Sequence, residues 1–391
     1  MKEFLTHKDI FDYVRHYDLE SIKSLKDLLI NYKFDFIDIN ELQKLLFKDN
    51  YLLIDARSES EFEETSIPTA HNFPVLLNKE RHNVGLVYKN YSDLAAVELA
   101  SEYAFLKIEN LKLFLKENNA DSKDIIVYCW RGGGRSKYLS KMIYDLGYKP
   151  KTLLKGIKSY RNIVNNFFQL NEFPHNLLEL NGLTGCGKTD IISSLSGCLP
   201  VLNLEKSARH FSSLFGFVPY KIRGMNKVKN QSAFENNVFG EYLFNRNHYP
   251  NENTYIIESE SRKVGDFFIP DMLYKAVDVS KCIDIVASIE SRVARLVNDY
   301  FINDSGYEEM IKIFTEKERF FRRELSNVHY NSCLESLNAG NAGQFIYIML
   351  TEYYDLKYKD KGKSPIGIVN SDNLDSAAEE IKSIYLKSFR T

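Results

Sequence analysis

The chain has 391 residues, of which 44% are hydrophobic and 27% are charged, and its formal net charge is -2. This length predicts two or three domains, and the composition is that of a globular protein with a real core. A membrane span and a secretory signal are excluded, because no apolar run approaches about eighteen residues and the N-terminus is charged, so a cytoplasmic protein is expected. Five cysteines without a C-x-x-C pair argue against a zinc knuckle or a disulfide framework.

The first elements in chain order are helical. Residues 1–40 are predicted to form a helical N-terminal extension, to which no function is assigned. Over residues 41–165, short apolar runs then alternate with amphipathic segments: "YLLID", "KDIIVYC" and "KTLLKG" predict strands, and "SKYLSKMIYDLGY" predicts a helix. Such alternation favours a parallel α/β sheet.

A second α/β domain is predicted over residues 166–391. Its strand candidates include "HNLLELNG", "TYIIESES", "CIDIVASI" and "PIGIVNSDN", and a helix-rich segment precedes the last of them. The sequence shows no fixed-period repeat and no low-complexity tract.

The stretch "IIVYCWRGGGRSKYL" places Cys129 where a buried strand ends and a helix begins. Ligands of parallel sheets bind at this edge, and glycines allow successive N–H groups to surround an anion. Beside such a group of N–H donors and two arginines, a cysteine is expected to favour its thiolate form, which is the nucleophile. The alternative is an ordinary core cysteine next to a glycine turn. The predicted anion loop comprises Arg131, Gly132, Gly133, Gly134, Arg135 and Ser136.

The stretch "GLTGCGKT" fits the phosphate-loop pattern G-x-x-x-x-G-K-[ST] between a predicted strand and a predicted helix. Lys188 is expected to reach the outer phosphate oxygens, and Thr189 can hold Mg²⁺. Glu258 and Glu260 end a later strand and are candidates for a metal-side role, the alternative being surface carboxylates. A nucleotide and another diphosphate would use the same N–H groups. The predicted diphosphate-binding residues are Gly182, Thr184, Gly185, Cys186, Gly187, Lys188 and Thr189.

Residues 45–162 resemble a rhodanese domain, through "LLIDARSESEFEETSIPTAHNFPV" and "VYCWRGGGRSKYLSKMIYDLGYKPKTLLKGIKSYR". The resemblance implies that Cys129 carries the transferred chalcogen and that Asp55 and Arg57 support its loop. Simple rhodanese loops are one residue shorter. The spacing from Cys129 to Arg135 is also that of tyrosine-phosphatase-type loops, so a wider cradle for a phosphate-like tetrahedral group is expected.

The combination of both loops resembles the bacterial tRNA 2-selenouridine synthase family over roughly residues 38–391. "ERHNVGLVYKNY", "CWRGGGRS", "KGIKSYR", "GLTGCGKT", "QSAFEN" and "IESESRKVG" match motifs of that family. "LNLEKSARHFSSLFG" matches another, with Asn203 in place of the usual aspartate. The fold class that follows is α/β, with a rhodanese-like parallel-sheet domain before a P-loop-type α/β domain with helical additions.

This resemblance implies a transferase that acts on the wobble 2-thiouridine of a tRNA anticodon. It replaces sulfur by selenium from selenophosphate, through an S-geranylated intermediate made from geranyl diphosphate. Cys129 is then the nucleophile or selenium carrier, and the phosphate loop holds geranyl diphosphate or a nucleotide. No tightly bound cofactor, no assigned metal site and no membrane are expected; Mg²⁺ and a selenophosphate-supplying enzyme are candidate partners.

Basic residues of the second domain are candidates for contacts to tRNA or for a lid over the diphosphate. Arg292 and Arg295 lie three apart and so share a helix face. "EKERFFRREL" interleaves cations with Phe320 and Phe321, which suits unstacked bases, although both rings are equally suited to a core. The candidates are Arg262, Arg292, Arg295, Lys317, Arg319, Arg322 and Arg323.

Two other functions fit the separate loops. One is a nucleotide-dependent sulfurtransferase of rhodanese type. The other is a rhodanese-like phosphatase or phosphate-binding module. Neither accounts for the motifs that flank both loops.

Overall fold

The computed structural model describes residues 4, 6–358 and 362–390. The chain divides into two compact units, Met1–Asn166 and Phe167–Thr391. None of the helices within the described ranges combines the length and apolarity needed to cross a bilayer.

The first unit is built on a five-stranded parallel sheet in the order β1-β5-β4-β2-β3. Its central strands are buried apolar runs, as expected of a parallel sheet with helices on both faces. The strands are β1 (Asp35–Ile37), β2 (Tyr51–Asp55), β3 (His71–Asn72), β4 (Asp124–Tyr128) and β5 (Lys151–Leu153). The helices are α1 (His7–Val14), α2 (Leu25–Leu28), α3 (Ile39–Leu45), α4 (Glu59–Glu64), α5 (Asn78–Asn90), α6 (Asp93–Phe105), α7 (Ile108–Glu117), α8 (Gly134–Asp145) and α9 (Ile157–Phe168), with a 3₁₀ turn at Ala120–Ser122.

The N-terminal extension is not wholly helical, so the prediction for residues 1–40 is wrong in part. Residues 35–37 form β1, which pairs in parallel with β5 and buries Ile37. Pairing with a sheet edge distant in sequence outweighs the local helical pattern, and no short-range signal reports it. Ile10 and Val14 of α1 are buried in the core of the same unit, so this segment is part of the first domain.

The second unit contains a parallel sheet in the order β12-β11-β6-β8-β7 and an antiparallel pair, β9 with β10. The strands are β6 (Asn176–Asn181), β7 (Val201–Leu202), β8 (Thr254–Glu258), β9 (Lys263–Val264), β10 (Phe267–Phe268), β11 (Lys281–Val286) and β12 (Gly367–Asn370). The helices are α10 (Lys188–Leu195), α11 (Leu204–Ala208), α12 (Val218–Lys221), α13 (Gln231–His248), α14 (Asp271–Asp278), α15 (Ile289–Tyr300), α16 (Asp304–Glu316), α17 (Glu318–Glu324), α18 (Asn327–Asn338), α19 (Ala342–Met349), α20 (Asp355–Lys357) and α21 (Leu374–Phe389), with a π-helical turn at Leu350–Tyr354.

Two hydrophobic clusters organise this second unit. One lies between the sheet and its flanking helices and includes residues of β6, β11, α10 and α21. The other belongs to the helix-rich segment between β11 and β12, where the Phe314 ring stacks on Phe321 and Tyr330 at 4.4 and 4.9 Å between centroids. The phosphate-loop sequence follows the carboxyl end of β6, the central strand, which is where ligands of such sheets bind.

Candidate functional site

Cys129 lies directly after β4 and before α8, as the sequence predicts. It is 4% exposed, and its Sγ lies 3.2 Å from the Ser136 Oγ in the first turn of α8. The Ser136 hydroxyl also donates to the Gly133 carbonyl at 3.2 Å. The thiol is therefore held at the positive end of a helix, with a hydroxyl as its immediate partner.

The loop keeps its shape through glycines that approach backbone closely. Gly132 has φ +70°, and Gly156 has φ +54°. A Cβ on Gly156 would lie 2.1 Å from the Cys129 carbonyl oxygen. The Ile157 N–H donates to that same oxygen at 2.9 Å, and the Lys158 N–H donates to the Trp130 carbonyl at 3.2 Å. Gly156 was not among the predicted site residues, although the "KGIKSYR" motif contains it.

Arg135 is paired inside the domain. Its Nη1 and Nη2 lie 2.5 and 3.1 Å from the two carboxylate oxygens of Glu61, and the Arg81 Nε lies 3.1 Å from Glu61 Oε2. Burial by itself would raise the pKa of Glu61, but the bonds and charge of Arg135 and the charge of Arg81 lower it to about 2. Glu61 thus orients Arg135, whereas the Arg131 side chain is exposed at the loop.

Asp55 and Arg57 form a fully buried pair behind the loop. The Arg57 Nη2 lies 2.7 Å from Asp55 Oδ2, and the Arg57 Nε lies 3.0 Å from Asp55 Oδ1. The Arg57 Nη2 also donates to the Thr65 carbonyl at 2.5 Å. The Ala56 N–H donates to the Tyr128 carbonyl at 2.8 Å, immediately before Cys129. The pair therefore braces the strand ends that carry the loop.

An apolar recess opens beside the same loop. It is a cavity of about 180 Å³ whose wall includes Gly134 and Arg135. A Cβ on Gly134 would lie 3.0 Å from the Leu25 Cδ2. Most of the wall comes from helices α2, α5 and α6, through Leu25, Val84, Tyr88, Ala96, Val97 and Ala100. Val84 and Tyr88 belong to the "ERHNVGLVYKNY" motif.

The phosphate loop connects β6 to α10. Gly185 and Gly187 have φ +80° and +84°, and Gly187 is the N-cap of α10. The Lys188 Nζ donates to the carbonyls of Gly182 and Leu183 at 2.6 and 3.3 Å. Burial would lower the pKa of Lys188, but Cys186 and the neighbouring glutamates raise it, so the ammonium form is held at the loop.

Two buried glutamates and the half-buried Glu205 face this loop. The Thr189 hydroxyl donates to Glu205 Oε2 at 2.6 Å and lies 3.4 Å from Glu258 Oε2. Glu258 and Glu260 are 1% and 9% exposed, so the alternative of surface carboxylates is wrong. Burial and the charge of Glu205 raise the pKa of Glu258 well above its usual value and that of Glu260 to about 8. Glu205 was missed, although it lies in the "LNLEKSARHFSSLFG" motif.

Arg292 and Arg295 of α15 lie against the phosphate loop. The Arg292 Nε donates to the Thr184 carbonyl at 2.8 Å, and its two Nη atoms lie 2.9 and 2.6 Å from the Asp355 carboxylate. The Arg295 Nη1 donates to the Gly185 carbonyl at 3.2 Å. Arg292 is 4% exposed. This position favours the alternative in which both arginines serve the diphosphate site rather than RNA.

The remaining basic candidates do not form one group. Phe321 is fully buried in the helical core, and Arg322 pairs with Glu318 at 2.7 Å. Arg323 pairs with Glu324 at 2.9 Å, and Arg319 is exposed. Arg262 donates to the Ile269 carbonyl at 2.8 Å and pairs with Asp271. Lys317 instead lines a separate cleft with five other lysines.

Within the part of the chain that the structure describes, no group of three or more His, Cys, Asp and Glu side chains has the arrangement of a metal site. The oxygen donors at the phosphate loop are of the type that Mg²⁺ binds together with substrate phosphates and water. They are the Thr189 hydroxyl and the neighbouring glutamate carboxylates.

The fold and the two loops define a rhodanese-like domain followed by a P-loop domain. Family models match both parts: one described as a rhodanese-like domain covers residues 38–163, and one described as the tRNA 2-selenouridine synthase AAA domain covers residues 175–382. The chain belongs to the tRNA 2-selenouridine synthase family, which confirms the resemblance and the fold class predicted from its motifs.

Curated relatives agree with the family models. The tRNA 2-selenouridine synthase of Bdellovibrio bacteriovorus is 33% identical over 67% of this chain and 68% of its own length. That of Nitrosomonas eutropha is 32% identical over 68% of this chain and 67% of its own length. That of Pseudomonas entomophila is 27% identical over 82% of this chain and 90% of its own.

Proposed function

We propose that the protein replaces sulfur by selenium in the wobble 2-thiouridine of tRNA, using selenophosphate, through an S-geranylated intermediate made from geranyl diphosphate. One observation supports this two-step scheme above others. Glycine-rich loops suited to anions follow the carboxyl ends of strands in two separate parallel sheets, and the loop of the first unit holds the Cys129 thiol beside the Ser136 hydroxyl.

The cysteine loop suits selenophosphate. Backbone N–H groups of residues 132–134, the N-terminus of α8 and the exposed Arg131 provide a cradle for a tetrahedral anion. Cys129 lies at the base of that cradle, where the Ser136 hydroxyl can accept a hydrogen bond from the thiol and so orient it. Glu61 holds the Arg135 guanidinium in one orientation. The selenium-bearing group and the nucleophile are thereby kept side by side.

The phosphate loop suits a diphosphate leaving group. Its N–H groups and Lys188 stabilise negative charge that develops on the departing diphosphate. Mg²⁺, held by Thr189, glutamate carboxylates and the diphosphate itself, would supply further charge neutralisation when bound. The glutamates repel an anion when they are ionised, so this electrostatic compensation matters most for their charged forms.

The apolar recess beside Gly134 and Arg135 fits the same scheme. A dry cavity of this order of size accepts a small hydrocarbon, and its apolar wall suits the prenyl group of an S-geranylated nucleoside at the cysteine loop. S-alkylation makes sulfur a better leaving group, so the geranyl product of one loop is the natural substrate of the other. A selenophosphate-producing enzyme is the partner that this chemistry requires.

The test uses purified protein and tRNA that carries the thiolated wobble uridine. Geranyl diphosphate is added alone, selenophosphate follows, and the digested nucleosides are weighed by mass spectrometry. We expect a geranylated nucleoside that becomes a selenouridine. Lys188→Ala should block the first mass change, and Cys129→Ser should block only the second.

A different outcome would redirect the assignment. If tRNA that another modifying enzyme accepts shows no mass change in either reaction, the synthase proposal fails. ATP or GTP hydrolysis that depends on Lys188 would then favour the nucleotide-dependent sulfurtransferase. Hydrolysis of an aryl phosphate that depends on Cys129 would favour the phosphatase.

A further inference from the structure

The second unit contains a lysine-rich cleft outside both loops. The cleft has a volume of about 800 Å³, and six lysines line it against three carboxylates. They come from five separate regions of the chain: α12, the connection to α13, β9, the segment around the end of α16, and α20. The six are Lys221, Lys227, Lys263, Lys312, Lys317 and Lys357.

Four of these six cations lie in no ion pair among the described residues. Lys227, Lys263, Lys312 and Lys317 are exposed, whereas Lys221 pairs with Glu309 and Lys357 with Glu324. The Lys263 Nζ lies 4.1 Å from the centre of the Phe268 ring, so in the described part of the chain Lys227, Lys312 and Lys317 are the ones without either kind of contact to a neighbouring acid or to that ring. Exposed ammonium groups that lie in no ion pair attract a polyanion, and phosphodiester backbones are polyanions that lysines bind as point charges.

Aromatic rings stand among the lysines. The half-buried Phe217 ring lies 4.9 Å from the Lys227 Nζ. His210 is packed so tightly against Gly216 and Gly265 that a Cβ on either glycine would lie within 2.7 Å of its ring. Its Nδ1 is buried and lacks a hydrogen-bond partner among the described residues. Basic groups interleaved with rings are the means by which proteins hold unstacked RNA bases.

The cleft adjoins the phosphate-loop pocket. Ser212 and Ser213 line both cavities, and the phosphate-loop pocket also contains Lys188 and Thr189. The connecting segment is the end of the "LNLEKSARHFSSLFG" motif, which neither loop chemistry explains. A nucleic-acid strand lying in the cleft would therefore present its neighbouring nucleotide to the phosphate loop.

We propose that this cleft binds the single-stranded anticodon loop of the tRNA, with Lys227, Lys312 and Lys317 on its phosphates and Phe217 against a base. The inference rests on the proposed function, because it takes tRNA as the substrate. Of the predicted patch at Lys317, Arg319, Arg322 and Arg323, it retains Lys317 alone.

The test compares two triple variants with equal loss of charge. The first carries Lys227→Ala, Lys312→Ala and Lys317→Ala. The control carries Lys275→Ala, Lys281→Ala and Lys387→Ala, three exposed lysines of the same unit that do not line the cleft. Affinity for thiolated tRNA is measured by filter retention from 50 to 200 mM salt. Ultraviolet cross-linking followed by peptide mass mapping locates the contact directly.

We expect the cleft variant to bind tRNA at least tenfold more weakly at low salt. The slope of log affinity against log salt should fall by about 2, since each lost contact to single-stranded phosphate removes about 0.7. The control should stay within about twofold of wild type, and cross-links should fall at Phe217 or its neighbours. Equal losses in both variants, or none in either, would overturn the proposal.

The two proposals can fail separately. If nucleoside conversion is normal and the cleft variant binds tRNA as tightly as wild type, only the cleft proposal fails. If tRNA retention depends on the cleft lysines but no nucleoside changes mass, only the proposed synthase reaction fails. A wild-type protein that retains no tRNA at all would overturn both.

Discussion

Gly156 is the residue on which the geometry of the cysteine loop depends most directly. Its backbone is left-handed, and a Cβ would collide with the Cys129 carbonyl oxygen. Gly156→Ala should therefore displace the loop, lower the free energy of unfolding of the first unit by about 3 kcal/mol and abolish selenation. Trp130, the chain's single tryptophan, lies in this loop and reports the unfolding by fluorescence.

Gly147→Ala is the matched control for this substitution. Gly147 also has a left-handed backbone, with φ +96°, but a Cβ there would meet nothing within 4 Å. Gly147→Ala should lower the free energy of unfolding by only about 1 kcal/mol and leave selenation intact. Equal effects at both positions would show that backbone strain, not the contact with Cys129, limits the loop.

Glu61 makes the stability of the first unit depend on acidity. Because its pKa is lowered from 4.5 to about 2 in the folded chain, its contribution is complete above pH 4.5 and is lost as the pH falls toward 2. Glu61→Gln should reduce the free energy of unfolding by about 1–2 kcal/mol at pH 7, since the pair is only partly shielded from solvent. Denaturant titrations that follow Trp130 should show this difference shrinking below pH 4.5; a constant difference would contradict the assignment.

Glu260 should couple diphosphate binding to pH and to Mg²⁺. Its pKa of about 8 means that it is mostly neutral at pH 7 and anionic at pH 9. Without a divalent cation, the affinity for geranyl diphosphate should fall severalfold between these values, because the new carboxylate repels the ligand. Calorimetry with added Mg²⁺ should show the fall reduced or reversed. Glu260→Gln should flatten the profile without Mg²⁺, and an unchanged slope in this variant would exclude Glu260 as its source.

At the scale of secondary-structure elements, the sequence predicts those features that a short-range pattern of residues encodes. β2, β4, β6, β8 and β11 are short, mostly apolar segments, and each glycine loop directly follows one of them, so strand, loop and helix could be placed together. Contacts between distant segments have no such signal. β1, the Glu61–Arg135 pair and the lysine cleft each join residues that are far apart in sequence.

Helix α15 positions the phosphate loop because its arginines donate hydrogen bonds to backbone carbonyls of the loop. Arg292 bonds both Thr184 and Asp355, and a lysine cannot form the same planar set of bonds. Arg292→Lys should therefore raise KM for geranyl diphosphate about tenfold or more, corresponding to roughly 1.5–3 kcal/mol for charge-assisted hydrogen bonds. Steady-state kinetics checks this, and Arg322→Lys, at an exposed position of the same unit, should leave KM unchanged. A similar change in both variants would exclude a specific role for Arg292.

At the scale of the whole molecule, both units have a loop suited to an anion, and the two loops differ in the side chains that accompany it. Each places a glycine loop between a parallel strand and the N-terminus of a helix, which concentrates N–H groups on an anion. The first adds a thiol and the second adds an ammonium group with a set of carboxylates. Nothing in either loop requires the chemistry of the other, so the two steps should be separable.

Separability predicts complementation between two inactive proteins. Lys188→Ala should convert tRNA that is already geranylated to the selenouridine form but should not geranylate it, and Cys129→Ser should do the reverse. A mixture of the two variants, with geranyl diphosphate and selenophosphate, should restore selenouridine because the geranylated tRNA can leave one molecule and enter the other. Nucleoside mass spectrometry measures the product against wild type. If each variant performs its own half-reaction but the mixture yields no selenouridine, the intermediate passes between the loops of a single chain without release.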